Sequence, residues 1–140
     1  MAGELIAVID DDPVFLTFMG ELLADEDYRP VLWSSTDAAM DMLRQEQPAV
    51  IVLDSWIERR ESGWMLLQQI RRDPATTHIP IVLCSADTQA LQPPPSIDTA
   101  CSYVPLQKPF DIDDLFVAIR IAFALNKGGK ERTSWPVERT

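Results

Sequence analysis

The chain has 140 residues, 46% of them hydrophobic, and a formal net charge of -10. This length and apolar fraction fit one globular domain with a buried core. The acidic excess argues against direct binding to nucleic acid or to an anionic membrane, because neutralising phosphates requires clustered Lys and Arg. The sequence has no run of the roughly 20 apolar residues that span a bilayer and no basic secretory start, so we expect a cytoplasmic protein.

The first apolar run, at residues 5–9, predicts a buried strand that leads into Asp10, Asp11 and Asp12. Pro13 suits the first position of a helix, with Asp12 as its N-cap. The apolar residues that follow have helical spacing, which predicts a helix to about residue 26. Its expected inner face consists of Phe15, Phe18, Met19, Leu22 and Leu23.

A second strand is predicted at residues 30–33, and residues 34–36 are expected to open a helix whose inner face carries Ala39, Met40 and Leu43. The next apolar run, at residues 50–53, consists mostly of β-branched residues and ends directly in Asp54. A short continuous run of this kind is typical of a strand buried on both faces, in a parallel sheet covered by helices.

After a polar loop, residues 64–72 predict a third helix, with Leu66, Leu67 and Ile70 in the core. Residues 80–84 predict a fourth strand, and Ser85 follows it. Because Cys84 lies inside this apolar run, it and Cys101 are interpreted as free thiols rather than as a disulfide.

The end of the chain is less regular. The three prolines at 93–95 cannot lie inside a helix, so a helix there must be short, split or displaced. Residues 103–106 predict a fifth strand, whose internal proline indicates a sheet edge or an irregular strand end. Asp111 is expected to cap the last helix, and we place the domain at 1–126 with a flexible polar tail at 127–140. The inner face of that helix is expected to contain Ile112, Leu115, Phe116, Ile119, Ala122 and Phe123.

Strand signals alternate with helix signals along the whole chain, which predicts an α/β domain with a parallel sheet and helices on both faces. In such a sheet the carboxyl ends of the strands meet at one edge, where ligands bind. Asp10 and Asp11 follow the first strand, Asp54 ends the third, Ser85 follows the fourth and Lys108 follows the fifth. We therefore expect three carboxylates, a hydroxyl and an ammonium group to converge.

Clustered carboxylates raise one another's pKa unless a cation neutralises them, and oxygen ligands with room for water suit Mg²⁺ or Mn²⁺. A carboxylate beside such a metal can attack phosphorus and form an aspartyl phosphate. The metal and a lysine then stabilise the transferring oxygens. The competing interpretation is that these acids only cap the helices that follow them.

With this ordered set of residues, the chain resembles the receiver domain of two-component response regulators over residues 4–126. The resemblance rests on Ile9–Pro13, Val52–Asp54, Ser85-Ala86 and Lys108–Phe110. It implies a flavodoxin-like, doubly wound fold with a five-stranded parallel sheet in the order 2-1-3-4-5.

Carried over by position, the resemblance implies that Asp54 accepts a phosphoryl group from a sensor histidine kinase or a phosphotransfer protein. Asp11 and Asp54 would ligate Mg²⁺ directly, Asp10 would act largely through water, and the backbone carbonyl of Trp56 would be a further ligand.

The same resemblance gives Ser85 a hydrogen bond to the bound phosphoryl group and pairs Lys108 with a phosphoryl oxygen. The Lys108–Pro109 bond is usually cis in the family.

The chain departs from the family pattern at several positions. Glu58 stands where a proline is common, and Gly63 comes nine residues after the phosphoacceptor instead of eight, so the loop that carries Trp56 is expected to be one residue longer. Pro105 occupies the position of a switching Tyr or Phe. Tyr103 could replace that aromatic residue only if the strand is shifted or bulged.

We therefore predict a stand-alone phosphorylation switch rather than an enzyme, capable at most of slow self-dephosphorylation. It would signal to a downstream target by protein–protein contact, and a homodimer is compatible with the pattern. Two alternatives stay open. One is a degenerate receiver that serves as a constitutive binding scaffold. The other is a Mg²⁺-dependent aspartyl phosphatase, a class that has a second acid at the position of Trp56.

Overall fold

The computed structural model describes residues 3–55, 57, 62–86 and 103–128, with side chains described as far as residue 125. Within these ranges five parallel strands form one sheet in the order β2-β1-β3-β4-β5. This arrangement confirms the predicted flavodoxin-like fold. The strands are β1 (Leu5–Ile9), β2 (Arg29–Trp33), β3 (Val50–Asp54), β4 (Ile81–Ser85) and β5 (Val104–Gln107).

Four helices cover the two faces of the sheet in the described ranges. None of them is long and apolar enough to cross a membrane. The helices are α1 (Pro13–Asp25), α2 (Ala39–Glu46), α3 (Ser62–Arg72) and α4 (Ile112–Gly128).

The core has two layers because alternate residues of a strand point to opposite faces of the sheet. On one face, α2 and α3 pack over Ile51 and Leu53 of β3. On the other face, α1 and α4 pack over Val50 and Val52 of the same strand. All four of these side chains are buried, as the continuous apolar run of β3 predicts.

The start of α1 agrees with the sequence prediction, and its inner face agrees at every position but one. Asp12 is the N-cap, and its side chain accepts a hydrogen bond from the backbone N–H of Val14. Met19 and Leu23 are fully buried, whereas Phe18 is 46% exposed and Leu16 is buried in its place. Phe15 and Leu22 are partly buried against the same core layer, so only Phe18 was misplaced.

The start predicted for α2 is wrong. The helix begins at Ala39, after Ala38 in a left-handed conformation (φ 57°), and its N-terminus has no side-chain cap. The Ser35 hydroxyl accepts a hydrogen bond from the Asp37 N–H, so it stabilises the preceding turn instead. On the inner face, Met42 is buried and Met40 is only half-buried.

The remaining elements differ from the prediction mainly at their ends. The third helix, α3, begins at Ser62 rather than at 64, and α4 continues to Gly128. Asp111 accepts a hydrogen bond from the Asp114 N–H, as expected of a cap, while Ile112 is half exposed rather than in the inner face. The predictions for Trp56, Glu58, the three prolines at 93–95, Cys101 and the tail from 129 lie outside the described residues.

An aromatic cluster joins Tyr28, which directly precedes β2, to two residues of α4. The ring of Tyr28 is stacked with Phe116 and Phe123, at centroid distances of 6.2 and 5.9 Å. The three rings pack against the core layer that contains α1 and α4.

Candidate functional site

Three carboxylates meet at the carboxyl edge of the sheet. Asp54 is the last residue of β3, and Asp10 directly follows β1, where its N–H donates to the Trp33 carbonyl at 3.1 Å. Asp10, Asp11 and Asp54 each offer an oxygen, and these atoms lie within 4.8 Å of one another. The strand ends thus gather acids that are far apart in the sequence, as predicted.

The carboxylate of Asp10 is buried and both of its oxygens already accept hydrogen bonds from the protein. Oδ1 accepts from the Asp12 N–H at 3.0 Å, and Oδ2 accepts from the Lys108 ammonium at 2.8 Å. Asp11 is exposed and Asp54 is half-buried. The side of the cluster that faces solvent is therefore formed by Asp11 and Asp54.

Lys108 enters the site from the segment after β5. Its N–H donates to the Ser85 carbonyl at 2.7 Å, and its ammonium lies 3.9 Å from Asp54 Oδ2. The peptide bond between Lys108 and Pro109 is cis. Burial by itself lowers the pKa of Lys108, but the hydrogen bond to Asp10 and the charge of Asp54 outweigh this effect and raise it. Lys108 is accordingly a stable cation beside the acids.

Ser85 is the last residue of β4 and is buried. It therefore lies at the same edge as the acids, next to Cys84, which pairs with Asp54 in the sheet register. Desolvation raises the pKa of the Cys84 thiol to about 12, so the thiol stays protonated at neutral pH. Of the predicted site residues, Trp56 lies outside the described ranges.

Gly63, the second residue of α3, sets how closely this helix approaches the site. A Cβ at this position would overlap the Asp54 carbonyl oxygen and would lie 2.7 Å from the Ser55 Cα. Both are backbone atoms, which cannot move aside. Gly63 therefore allows α3 to pack directly against the end of β3.

Two aromatic residues near Lys108 were not assigned to the site from the sequence. The ring centroid of Phe15 lies 4.2 Å from the Lys108 ammonium. Phe110 meets the same ring edge to face, with centroids 6.0 Å apart. Helical spacing had placed Phe15 only in the core, and its proximity to Lys108 and Phe110 joins α1 to the segment after β5.

The strand β5 has no bulge in its pairing with β4, and it runs from Val104 to Gln107, one residue later than predicted. Pro105 lies in continuous register opposite Leu83, at the sheet edge predicted from its proline, and it is exposed. Tyr103 packs edge to face on the buried Trp64, with ring centroids 5.3 Å apart.

The family model described as the response regulator receiver domain matches residues 6–120. The chain belongs to this family. The match covers all of the site residues and all five strands except for the first residue of β1, so the two-component receiver assignment made from the sequence is confirmed.

Among curated proteins, the chain is 28% identical over 117 residues to the DNA-binding dual master transcriptional regulator RpaA of Synechocystis, covering 82% of this chain and 47% of RpaA. It is also 28% identical over 119 residues to the nitrogen assimilation regulatory protein NtrX of Azorhizobium caulinodans, covering 80% of this chain and 24% of NtrX. The chain thus spans less than half the length of these relatives.

Among solved structures, the receiver domain of the sensor histidine kinase PA1611 from Pseudomonas aeruginosa superposes with a TM-score of 0.75 at 22% identity. The alignment covers 88% of this chain and 99% of that domain, whose structure has a magnesium ion coordinated in the active-site cleft. NtrX from Brucella abortus in complex with ADP also gives a TM-score of 0.75, at 23% identity, with 94% of this chain and 29% of that chain covered. These likenesses show the fold.

Proposed function

We propose that this receiver domain accepts a phosphoryl group on Asp54 and signals through the phosphorylated state. The observation that carries the proposal is the position of Asp54, whose carboxylate shares a cluster with two other acids and lies 3.9 Å from the Lys108 ammonium. A nucleophilic carboxylate between a cation-binding cluster and a lysine is the arrangement that phosphoryl transfer requires.

The cluster fits a divalent metal because its donors are carboxylate oxygens, the ligands that Mg²⁺ and Mn²⁺ prefer. Asp11 and Asp54 would hold the ion directly. Asp10 would act through water, since both of its oxygens are engaged by Asp12 and Lys108. The Trp56 carbonyl is proposed as a further ligand. The bound ion would neutralise negative charge on the phosphoryl oxygens.

In the proposed step, a carboxylate oxygen of Asp54 attacks the phosphorus of a phosphohistidine. The O–P bond forms as the N–P bond breaks, and the electron pair of the broken bond remains on the imidazole nitrogen. The Lys108 ammonium pairs with a phosphoryl oxygen, and the Ser85 hydroxyl donates a hydrogen bond to another. Slow attack by water on the aspartyl phosphate would later restore the carboxylate, which makes the domain a switch.

The phosphodonor we propose is a sensor histidine kinase or a phosphotransfer protein. Exposed apolar side chains on α1 and α4 support a protein donor, because apolar surface of this kind is favourably buried against a protein partner. Val14 and Phe18 lie four residues apart on α1 and are both exposed. Ile112, at the start of α4, is also half exposed. The phosphorylated domain would then contact a downstream target protein.

The test is to incubate the full chain with a small-molecule phosphodonor and Mg²⁺ and to measure the intact mass. We expect one phosphoryl group per chain, lost in Asp54→Asn and when EDTA removes the metal. Asp12→Asn is the matched control, because Asn caps a helix as well as Asp does and the variant removes a neighbouring charge. It should still be labelled.

The other outcomes distinguish the alternatives. Steady hydrolysis of the donor with no accumulated label would favour the phosphatase. Absence of labelling, together with a thermal stability that does not respond to Mg²⁺, would favour the constitutive scaffold. Either result would overturn the switch.

A further inference from the structure

The Lys108 ammonium lies between a carboxylate and an aromatic face. Asp10 Oδ2 is 2.8 Å from the nitrogen, and the centroid of the Phe15 ring is 4.2 Å from it. A cation over the face of an aromatic ring is attracted by the ring's negative quadrupole, within about 6 Å of the centroid. Phe15 therefore contributes to the position of this amine.

The ring of Phe15 is itself held in place. Phe110 meets it at an interplanar angle of 78°, an edge-to-face arrangement that aromatic pairs prefer. Phe110 is two residues after Lys108, whose backbone N–H is fixed to the Ser85 carbonyl. The segment that carries Lys108 is thus joined to β4 by its backbone and to α1 by its aromatic residue.

A lysine side chain has about four rotatable bonds and loses much rotamer freedom when its amine is confined. An amine that must meet an incoming phosphoryl group acts best if it already points at the acceptor. We propose that Phe15 is a positioning residue for phosphoryl transfer, which holds the Lys108 ammonium toward Asp54. This inference rests on the proposed function. Phe15 acts through Lys108 and does not touch the transferred group.

The expected size of the effect follows from the contact. The free energy of a cation–π interaction of this kind corresponds to a roughly two- to thirtyfold change in a rate or an equilibrium constant. We therefore expect Phe15→Leu to be phosphorylated by a small-molecule donor about two- to thirtyfold more slowly at saturating Mg²⁺. Phe15→Tyr keeps the aromatic face and should restore the rate to within about twofold of the native chain.

The affinity for Mg²⁺ separates positioning from a general loss of structure. The metal would be bound by acids that Phe15 does not touch, so its dissociation constant, measured by thermal shift, should be unchanged in both variants. Phe116→Leu is the matched control, since Phe116 is a partly buried ring in the same core layer that stacks on Tyr28. It should leave the small-donor rate unchanged. Equal slowing in Phe116→Leu would overturn the proposal.

A double-mutant cycle tests whether Phe15 affects phosphorylation through Lys108. Lys108→Met removes the amine but keeps the apolar stem. In that background Phe15→Leu should slow phosphorylation no further. If Phe15→Leu slows the Lys108→Met chain as much as the native chain, the residue has a structural role only and the proposal fails.

An NMR measurement on the metal-free, unphosphorylated chain is independent of activity. Protons over the face of a ring are shifted upfield, so the ε-methylene protons of Lys108 should have an upfield shift that Phe15→Leu removes and Phe15→Tyr keeps. An unshifted signal in the native chain overturns the positioning role even if Asp54 is phosphorylated. A shifted signal in a chain that no donor labels would confirm the position of the amine and refute the proposed function.

Discussion

Lys108 and Asp10 are 98 residues apart in the sequence, yet the ammonium of one donates to the carboxylate of the other at 2.8 Å. The pair joins the segment after β5 to the end of β1, across two intervening strands of the sheet. The Asp10 side chain is 3% exposed and the Lys108 side chain is 22% exposed, so water screens the attraction between the two charges only in part.

We predict a coupling free energy of about 1–3 kcal/mol between Asp10 and Lys108, below the value for a fully buried pair because the ammonium stays partly hydrated. The measurement is urea unfolding in EDTA of Asp10→Asn, Lys108→Met and the double variant. The cycle is needed because Asp10→Asn also relieves repulsion within the acid cluster. Additive free energies would contradict a stabilising pair.

Gly63 and Gly20 form a matched pair for a test of packing. Gly63→Ala should lower the free energy of unfolding by about 2 kcal/mol or more, because the new methyl group overlaps the backbone at Asp54 and Ser55. In Gly20→Ala the methyl group would meet the Leu32 Cδ1 at 3.1 Å, at the flexible end of an exposed side chain. That variant should be neutral or stabilised by up to about 1 kcal/mol, owing to the higher helix propensity of Ala. Equal effects in the two variants would contradict this account.

Cys84 should make the protein less stable in alkali. The thiol ionises in the unfolded chain near its ordinary pKa of 9.0, but burial raises its pKa in the folded chain to about 12. Between these values the unfolded state binds fewer protons, so the free energy of unfolding should fall by about 1.4 kcal/mol per pH unit. Denaturant unfolding at several pH values should show a smaller slope in Cys84→Ala than in the native chain.

The same burial makes Cys84 unreactive in the folded state. In a Cys101→Ser background, modification by a thiol reagent at neutral pH should proceed only as fast as the protein opens, and denaturant should accelerate it. Rapid modification of the native chain would show that the thiol is accessible.

Val14 and Phe18 provide a test of the docking of a protein donor. Replacing them together, as Val14→Ser and Phe18→Gln, should slow phosphotransfer from a phosphorylated phosphotransfer protein by about five- to thirtyfold. Labelling by a small-molecule donor should not change. Val117→Gln is the control, because Val117 is as exposed as Phe18, at 45% against 46%, but lies on α4. Loss of small-donor labelling in the double variant would mean that the site itself is disturbed.

The fold and most of the site could be predicted from the sequence because both depend on strand ends. The apolar run of β3 identifies a central strand, and each polar residue that ends a strand falls at one edge of a parallel sheet. One position of the buried face of α1 could not be predicted in this way. Phe18 and Leu16 both suit a helix, and which one is buried depends on the angle at which α1 packs.

Contacts between different helices and strands could not be predicted from the sequence either. The contact between Phe15 and Lys108 joins α1 to the segment after β5, and no local pattern records it. The N-terminus of α2 was misplaced because Ser35 bonds within the turn, so its capping propensity was satisfied before the helix began.

The stacking of Tyr28 with Phe116 and Phe123 has a practical consequence for protein production. The family model ends at residue 120, but Ala122 is buried and Phe123 still contacts Tyr28 at 5.9 Å. A recombinant fragment trimmed at that boundary would lose two turns of α4, and the apolar side chains that these turns cover would be exposed to water. Expression vectors for this domain should therefore encode the chain at least through Gly128.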